Sequence, residues 1–102
     1  MSMGREKKLT EPDQPYDLFF PDTVKDQLAR VKKKDKTLCE QLRKRFKKLR
    51  KNPDCGEILS HDKAGYREVH IKGHWVIIYR TDYDTHTIVI VKIGIHDRVL
   101  ER

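Results

Sequence analysis

The chain has 102 residues, enough for one domain and too few for two that each bury a core. Charged residues make up 38% of it and hydrophobic residues 36%, so the core must be thin. Lysine and arginine outnumber aspartate and glutamate by 23 to 16, and the formal net charge of +7 favours an anionic partner, most commonly nucleic acid. No apolar run approaches the ~20 residues of a membrane span, and no hydrophobic stretch follows the N-terminal charges, so we expect neither a membrane protein nor a secreted one.

Cysteine usage points to a reducing compartment. The two cysteines, Cys39 and Cys55, are too few and too far apart for a zinc knuckle or a disulfide scaffold. We therefore expect a cytoplasmic protein.

The N-terminal part divides into a leader and a first strand. Residues 1–15 contain two prolines and no periodic apolar pattern, which predicts a flexible leader before a single domain at 16–102. The aromatic run 16–20 predicts a strand that ends at Pro21.

Two helices are predicted next, each with one apolar stripe at helical spacing. Asp22 or Thr23 can cap the first helix, because a side-chain oxygen there would satisfy an amide of the first turn. The second begins near residues 35–37 and ends before Pro53, since a residue that precedes proline disfavours the helical conformation. The stripes are Val24, Leu28 and Val31 in the first helix and Leu38, Leu42, Phe46 and Leu49 in the second.

From residue 64 onward the apolar period becomes that of a strand. Residues 66–72 alternate, which puts Glu68, His70 and Lys72 on one polar face. Residues 75–79 and 87–93 are nearly continuous in β-branched and aromatic side chains, as in central strands covered on both faces. The order β-α-α-β-β-β predicts an α+β fold in which an antiparallel sheet of about four strands carries the helical hairpin on one face.

The basic excess is concentrated in the helical hairpin. Thirteen lysines and arginines stand against three acids between residues 25 and 51, a net charge of +10. Repulsion between so many like charges destabilises the two helices, so we interpret the hairpin as a phosphate-binding surface. The alternative is an inert solvated face, because lysine and arginine are good helix formers. The residues predicted to contact RNA there are Arg43, Lys44, Lys47, Lys48 and Lys51.

Three of the five histidines come close together in this topology. His70 lies on the polar face of one strand, His74 begins the next strand, and His96 follows the last. If these strands are neighbours, the three rings can meet at one end of the sheet. The candidate cations at the same end of the sheet are Arg67, Lys72, Arg80 and Arg98.

Such a cluster suits RNA cleavage through the 2′-OH, which needs a base, an acid and positive charge near the phosphorus. This chemistry requires no metal and no other cofactor. Zinc binding by the histidines, or an ordinary surface position for each of them, is the alternative. Trp75 and Tyr79 are interpreted as core aromatics, with base stacking as the alternative.

Three segments resemble the RelE/ParE toxin superfamily. They are residues 65–71 (GYREVHI), 74–80 (HWVIIYR) and 91–100 (VKIGIHDRVL). They are most similar to the YafQ-like branch, whose pattern is G-x-R-x-x-H-I, then D-W-x-x-I-Y, then G-T-H-S-x-L-F. With the upstream strand and basic hairpin, the resemblance covers about residues 16–100.

The resemblance implies a bacterial or archaeal type II toxin, an endoribonuclease that cuts mRNA in the ribosomal A site and is inhibited by an antitoxin. His70 and His96 match the functional histidines of the YafQ-like pattern. His74 stands where that branch has an acid, Leu100 replaces a C-terminal aromatic residue, and His61 corresponds to a further upstream histidine.

We therefore predict a metal-independent endoribonuclease in which His70 and His96 share the acid and base roles and His74 assists. The predicted phosphate ligands are Arg67, Lys72 and Arg98, and further candidates are His61, Trp75, Arg80 and Leu100. The expected partners are an antitoxin with an extended acidic segment, mRNA and the 70S ribosome, without a membrane. The alternatives are a gyrase inhibitor, as in the ParE branch, and a basic module that binds RNA or antitoxin without cutting.

Overall fold

Two helices lie between the first and second strands of the sheet, and the remaining strands follow in sequence. The computed structural model describes residues 14–59, 65–71 and 73–95, so most of the predicted leader lies outside the described residues. The elements are β1 (Asp17–Phe19), α1 (Asp22–Lys34), α2 (Lys36–Lys51), β2 (Glu57–Ile58), β3 (Tyr66–His70), β4 (Trp75–Asp82) and β5 (Thr87–Ile95), with a 3₁₀ turn at Pro53–Cys55.

The sheet has the strand order β1-β5-β4-β3-β2. The predicted α+β class is confirmed, but the sheet described has five strands rather than four and is mixed, because β1 pairs in parallel with β5. The additional strand, β2, has only two residues, too few for any alternating pattern to mark it in the sequence.

The helix boundaries follow from local chemistry. The predicted start of α2 near residues 35–37 is confirmed: the Asp35 carboxylate accepts a hydrogen bond from the Leu38 amide at 3.0 Å and caps the helix. The predicted cap of α1 at Asp22 or Thr23 is wrong: the N-cap is Pro21, which makes no side-chain hydrogen bond. Asp22 is instead the first helical residue, where its charge complements the helix dipole.

The apolar stripes of both helices pack on the same face of the sheet, which we call the helix face. Val24, Leu42 and Leu49 are at most 1% exposed. Full burial of such a side chain contributes roughly 1.5–3 kcal/mol, so these contacts hold the hairpin on the sheet. The sheet residues in the same cluster are Val69, Ile71, Ile77, Tyr79, Ile88, Ile90 and Ile93.

The opposite side of the sheet, which we call the open face, carries the alternate residues of each strand. They are Tyr66, Glu68 and His70 on β3, Val76, Ile78 and Arg80 on β4, and Val89, Lys92 and Gly94 on β5. Val76 and Ile78 are 0% and 3% exposed, so β4 is buried on both faces, as predicted. The pairing of β4 with β5 contains a β-bulge. Ile78 pairs with Lys92 and Tyr79 with Ile90, which leaves Val91 as the extra residue.

Candidate functional site

The β3–β4 hairpin brings two of the predicted histidines to one end of the sheet. His70 is the last residue of β3, and His74 directly precedes β4. The Ile71 amide donates a hydrogen bond to the Trp75 carbonyl at 2.8 Å, and Gly73 adopts a φ of +68° that side chains disfavour, so the turn is tight. Both histidines are exposed, on either side of one short turn.

The strand that precedes the third histidine ends at the same place. Ile95, the last residue of β5, pairs with Trp75, the first residue of β4. His96 is the next residue in the sequence. It lies outside the described residues, as do His61, Lys72, Arg98 and Leu100. The meeting of His96 with His70 therefore stays a prediction.

Two carboxylates to which the sequence analysis gave no role lie on the open face beside His70. Glu68 is two residues before His70 on β3, and its Oε2 lies 4.0 Å from His70 Nε2. Glu57 on β2 is the register partner of Glu68. Glu68 is only 8% exposed, whereas half of the His70 side chain is exposed, at 52%. The alternation of residues 66–72 already put Glu68 on the face of His70, but only the structure reveals its burial.

The edge strand β2, which carries Glu57, is anchored through Tyr79. The Tyr79 hydroxyl donates to the Pro53 carbonyl at 2.7 Å and accepts from the Gly56 amide at 3.0 Å. Burial raises the pKa of Tyr79 to about 12. A Cβ at Gly56 would lie 2.5 Å from the Tyr79 hydroxyl and 2.8 Å from the Glu68 carbonyl, so only glycine fits this crossing. Tyr79 is fully buried, as its interpretation as a core aromatic requires.

Arg67, predicted as a phosphate ligand, points to the helix face and holds the same segment. Its Nη1 donates to the Gly56 carbonyl at 2.8 Å and to the Asp54 carbonyl at 3.3 Å, and Nη2 lies 3.8 Å from the Asp54 carboxylate. The Tyr83 hydroxyl also donates to that carboxylate, and this hydrogen bond raises the pKa of Tyr83. These contacts favour a structural role for Arg67.

The described cations of the open face differ in their distance from the histidine end. Arg80 and Lys92 are both exposed. Arg80 lies five residues along β4 from Trp75, roughly 16 Å in an extended strand, which is too far to share a phosphate with His74. Lys92 pairs with Ile78 and is closer to that end of the sheet.

The basic residues of α2 that the sequence predicts to contact RNA are all exposed and lie on the helix side of the sheet, whereas His70 lies on the open face. They are Arg43, Lys44, Lys47, Lys48 and Lys51. Between α1 and α2 runs an apolar groove of about 380 Å³, whose floor includes Phe20, Leu28, Leu42 and Phe46 and whose rim includes Lys25, Lys32 and Arg43. This groove and the histidine end are separate surfaces.

Trp75 lies between the core and a cavity. It is half-buried against the helix-face cluster, as a core aromatic would be. It also lines a cavity of about 540 Å³ with Gln27 and Gly94, and a smaller one with His74. The Gln27 side-chain amide donates to the Ile93 carbonyl at 2.6 Å, which ties α1 to β5 beside this cavity.

The remaining described histidine, His86, belongs to the far end of the sheet. It stacks on Tyr16 with ring centroids 3.7 Å apart, and its Nε2 lies 3.0 Å from the Gln14 carbonyl. In residues 14–59, 65–71 and 73–95 no three His, Cys, Asp or Glu side chains gather as metal ligands. No helix in those ranges is long and apolar enough to cross a membrane.

Comparison with known proteins agrees with this architecture. A protein of Methanocaldococcus jannaschii named as a RelE4 toxin is 22% identical over 87 residues, 85% of this chain and 93% of the relative. The fold matches the toxin–antitoxin complex RelBE2 from Mycobacterium tuberculosis with a TM-score of 0.66 at 24% identity, over 79% of this chain and 98% of that one. It also matches a YoeB/ParE toxin from Agrobacterium tumefaciens with a TM-score of 0.72 at 19% identity, over 78% and 98%.

The family described as the ParE toxin of the type II toxin–antitoxin system parDE matches residues 18–100. This range spans all the helices and nearly all the strands of the fold. The predicted RelE/ParE resemblance is thereby confirmed, while its YafQ-like branch stays a prediction. The chain belongs to the ParE toxin family, within the RelE/ParE superfamily of type II toxins.

Proposed function

We propose that this protein is an mRNA endoribonuclease, the toxin of a type II toxin–antitoxin pair, which cleaves message in the ribosomal A site. The observation that carries the proposal is the pair of exposed imidazoles of His70 and His74 at the end of the sheet where β5 terminates. The carboxylate of Glu68 beside His70 gives one imidazole a charged neighbour. Because the message is cleaved on translating ribosomes, the proposed site of action is the cytoplasm.

The proposed reaction is a transesterification followed by release of the 3′ fragment. A base removes the proton of the 2′-OH, the 2′-oxygen attacks phosphorus, and the P–O5′ bond breaks as an acid protonates the 5′-oxygen. His70 and His96 perform these two proton transfers, with His74 as an assisting group. Imidazole suits both because its neutral and protonated forms coexist near neutral pH.

Positive charge stabilises the phosphorane that forms between these steps. Lys92 is the described open-face cation nearest the histidine end, and Lys72 and Arg98 are the candidates from the sequence. Removal of one such group from a preorganised site typically lowers kcat by 10²–10³. Arg67 contributes indirectly in this proposal, because its hydrogen bonds hold the segment that leads into β2.

The test is message cleavage on translating ribosomes by the wild type and by His70→Ala, His74→Ala and His96→Ala. We expect a loss of about 10²-fold or more for His70→Ala and His96→Ala, since general acid–base groups contribute 10²–10⁴. The control is His86→Asn at the far end of the sheet, where asparagine tolerates the φ of +58°. Equal cleavage by all variants would remove the catalytic assignment.

Gyrase inhibition is the second candidate function, because the matched family is the ParE toxin. A gyrase inhibitor needs no convergent imidazoles. If the wild type leaves message intact, and if His70→Ala with His96→Ala still inhibits supercoiling by purified gyrase, gyrase inhibition replaces the nuclease proposal.

The proposed protein partner is an antitoxin that binds the helical hairpin. The Mycobacterium tuberculosis relative was solved as a toxin–antitoxin complex. In this chain, the groove between α1 and α2 combines an apolar floor with a basic rim. An amphipathic antitoxin segment with acidic flanks would match both, and the hairpin's excess positive charge would be neutralised on binding.

A further inference from the structure

Three neighbouring cavities meet at Trp75. The first, of about 540 Å³, lies between the start of α1 and the end of β5, and Thr23, Gln27 and Gly94 are among the residues that line it. A second, of about 270 Å³, continues along α1, and a third, of about 310 Å³, extends to His74. Trp75 lines all three. The volume of the first is within the ~300–1,000 Å³ that is typical of ligand pockets.

The largest cavity is open towards β5 because β1 is short. β1 pairs only with residues 87–89 of β5, and no described strand pairs with the outer edge of β5 at residues 91–95. Helix α1 covers part of this edge, where the Gln27 side-chain amide donates to the Ile93 carbonyl at 2.6 Å. A strand edge of this kind offers backbone N–H and C=O groups to a ligand.

Trp75 presents an aromatic surface to this space. The residue is half-buried and packs against the helix-face cluster. Among the residues that the structure describes, no group accepts a hydrogen bond from its indole N–H. Because a tryptophan N–H usually finds a partner when it is buried, a ligand that combines a flat apolar face with acceptor atoms would complete this environment.

The charge around the cavities is positive. Arg30, Lys34 and Lys92 line them and are exposed. The described acid that lines them, Asp35, already accepts the hydrogen bond that caps α2. An aromatic surface beside exposed cations is the combination with which proteins bind single-stranded nucleic acid. The groove between α1 and α2, with its apolar floor, is better suited to a protein partner.

The strand register connects the cavity to the proposed cleavage site. His70 on β3 pairs with Val76 on β4, which pairs in turn with Gly94 on β5. Two strand spacings of ~4.8 Å put the Gly94 backbone about 10 Å from that of His70. Since the bases of a single strand can splay out and stack on aromatic side chains, a strand cut at His70 can bring a flanking base to the cavity.

We propose that the cavity at Trp75 binds one base of the RNA substrate, that of a nucleotide that flanks the scissile bond. The inference rests on the proposed function and assigns that site a substrate pocket. The base stacks on the accessible part of the indole, and Arg30, Lys34 and Lys92 neutralise the adjacent phosphates.

The first experiment uses the fluorescence of Trp75, the only tryptophan of the chain. Full-length protein is titrated with a 2′-O-methyl RNA trinucleotide, which cannot be cleaved through the 2′-OH, and with an abasic backbone that carries the same phosphates. Calorimetry measures binding independently. We expect the trinucleotide to reduce the emission about 2-fold at saturation through stacking, and the abasic backbone to leave it nearly unchanged. A trinucleotide that does not bind, or that binds without quenching, would overturn the proposal, as would equal quenching by the abasic backbone.

Substitutions of two half-buried aromatic residues test the same site through affinity. Trp75→Leu removes the stacking surface but keeps an apolar side chain, so we expect the affinity for the trinucleotide to fall about 5-fold or more. Trp75→Phe keeps a ring and should lose less. Tyr16→Leu is the control, because Tyr16 also packs against the core cluster but stacks on His86 at the far end of the sheet. Unchanged affinity in a folded Trp75→Leu would contradict the base site, and so would an equal loss in Tyr16→Leu. If Trp75→Leu does not fold, the quenching of the wild type decides.

Message cleavage on translating ribosomes separates this proposal from the proposed function. If RNA quenches Trp75 in a protein that cuts no message, the base site stands and the nuclease fails. If the protein cuts message while RNA leaves the emission unchanged, the base site fails and the nuclease stands. Emission that RNA leaves unchanged but that differs in the purified toxin–antitoxin complex would assign the cavity to the antitoxin and overturn the proposal.

Discussion

At the scale of single residues, the site depends on a few side chains that lock an irregular segment against the sheet. Residues 52–58 form no long ladder of their own, so their backbone groups need partners from elsewhere. Tyr79 supplies two of these partners and Arg67 two more. The position of Glu57 on the open face follows from these hydrogen bonds rather than from strand pairing alone.

Tyr79→Phe tests this anchor. The substitution keeps the ring in the core but leaves the Pro53 carbonyl and the Gly56 amide without their partner. We expect a loss of about 1–3 kcal/mol in the free energy of unfolding, measured by urea denaturation near neutral pH. Tyr83→Phe is the control, because its hydroxyl is exposed and its loss should change stability by less than Tyr79→Phe. Equal losses in both variants would argue against a special role for the buried hydroxyl.

The same anchor predicts a pH dependence. Because the pKa of Tyr79 is about 12 in the folded protein and 10.0 in the unfolded chain, the folded state retains the phenolic proton up to a higher pH. The resulting stability is complete below pH 10 and is lost as the pH rises towards 12, at about 1.4 kcal/mol per pH unit. Unfolding measured between pH 9 and 11.5 should therefore bring the wild type and Tyr79→Phe closer together. A constant difference over that range would contradict the raised pKa.

At the scale of the elements, the sequence predicted what is local and missed what is not. The apolar stripe of α2, its start near residues 35–37 and the strands β3 to β5 were predicted, because each depends on residues within ten or twenty positions of one another. The parallel pairing of β1 with β5 joins segments about 70 residues apart, and no local pattern encodes it.

The candidate site likewise has features that the sequence predicts and features that only the packing of the strands determines. The sequence put Glu68 and His70 on one face through alternation, but the burial of Glu68 depends on how β3 packs between β2 and β4. The motif predicts that Arg67 is a phosphate ligand, whereas its guanidinium contacts the backbone around Gly56. The same alternation puts Arg67 on the face of Val69 and Ile71, opposite His70, so its place in the motif did not make it a neighbour of the histidines.

The two helix starts give a matched pair of substitutions. Asp35→Ala removes a capping carboxylate, so we expect a loss of about 1 kcal/mol in the free energy of unfolding. Asp22→Ala removes only a favourable interaction with the helix dipole, worth about 0.3–1 kcal/mol at low salt and less at high salt. Urea unfolding at low and high salt distinguishes the two. An Asp35 effect that disappears at high salt would mean that its charge, and not its hydrogen bond, stabilises α2.

At the scale of the whole molecule, the sheet separates the two surfaces to which the proposed function assigns roles. His70 and Glu68 lie on the open face, while Lys44, Lys47, Lys48 and Lys51 of α2 cover the opposite side. A single phosphate cannot contact both. In the proposed function, the first surface performs the chemistry, and the second attracts ribosomal RNA or, alternatively, an acidic antitoxin.

This separation predicts that binding and cleavage can be lost independently. Lys44→Gln with Lys48→Gln should weaken ribosome binding and reduce the slope of log K against log salt by about 1 to 2, since each phosphate contact contributes about 0.7–0.9. Cleavage at saturating ribosome should stay within about 3-fold of the wild type. His70→Ala should show the reverse, with unchanged binding and little cleavage. Lys44→Arg with Lys48→Arg is the control, because it keeps both charges and should bind and cleave as the wild type does. If the Lys44 and Lys48 variant lost cleavage at saturation, the basic helix would belong to the catalytic surface, and the division of labour across the sheet would be wrong.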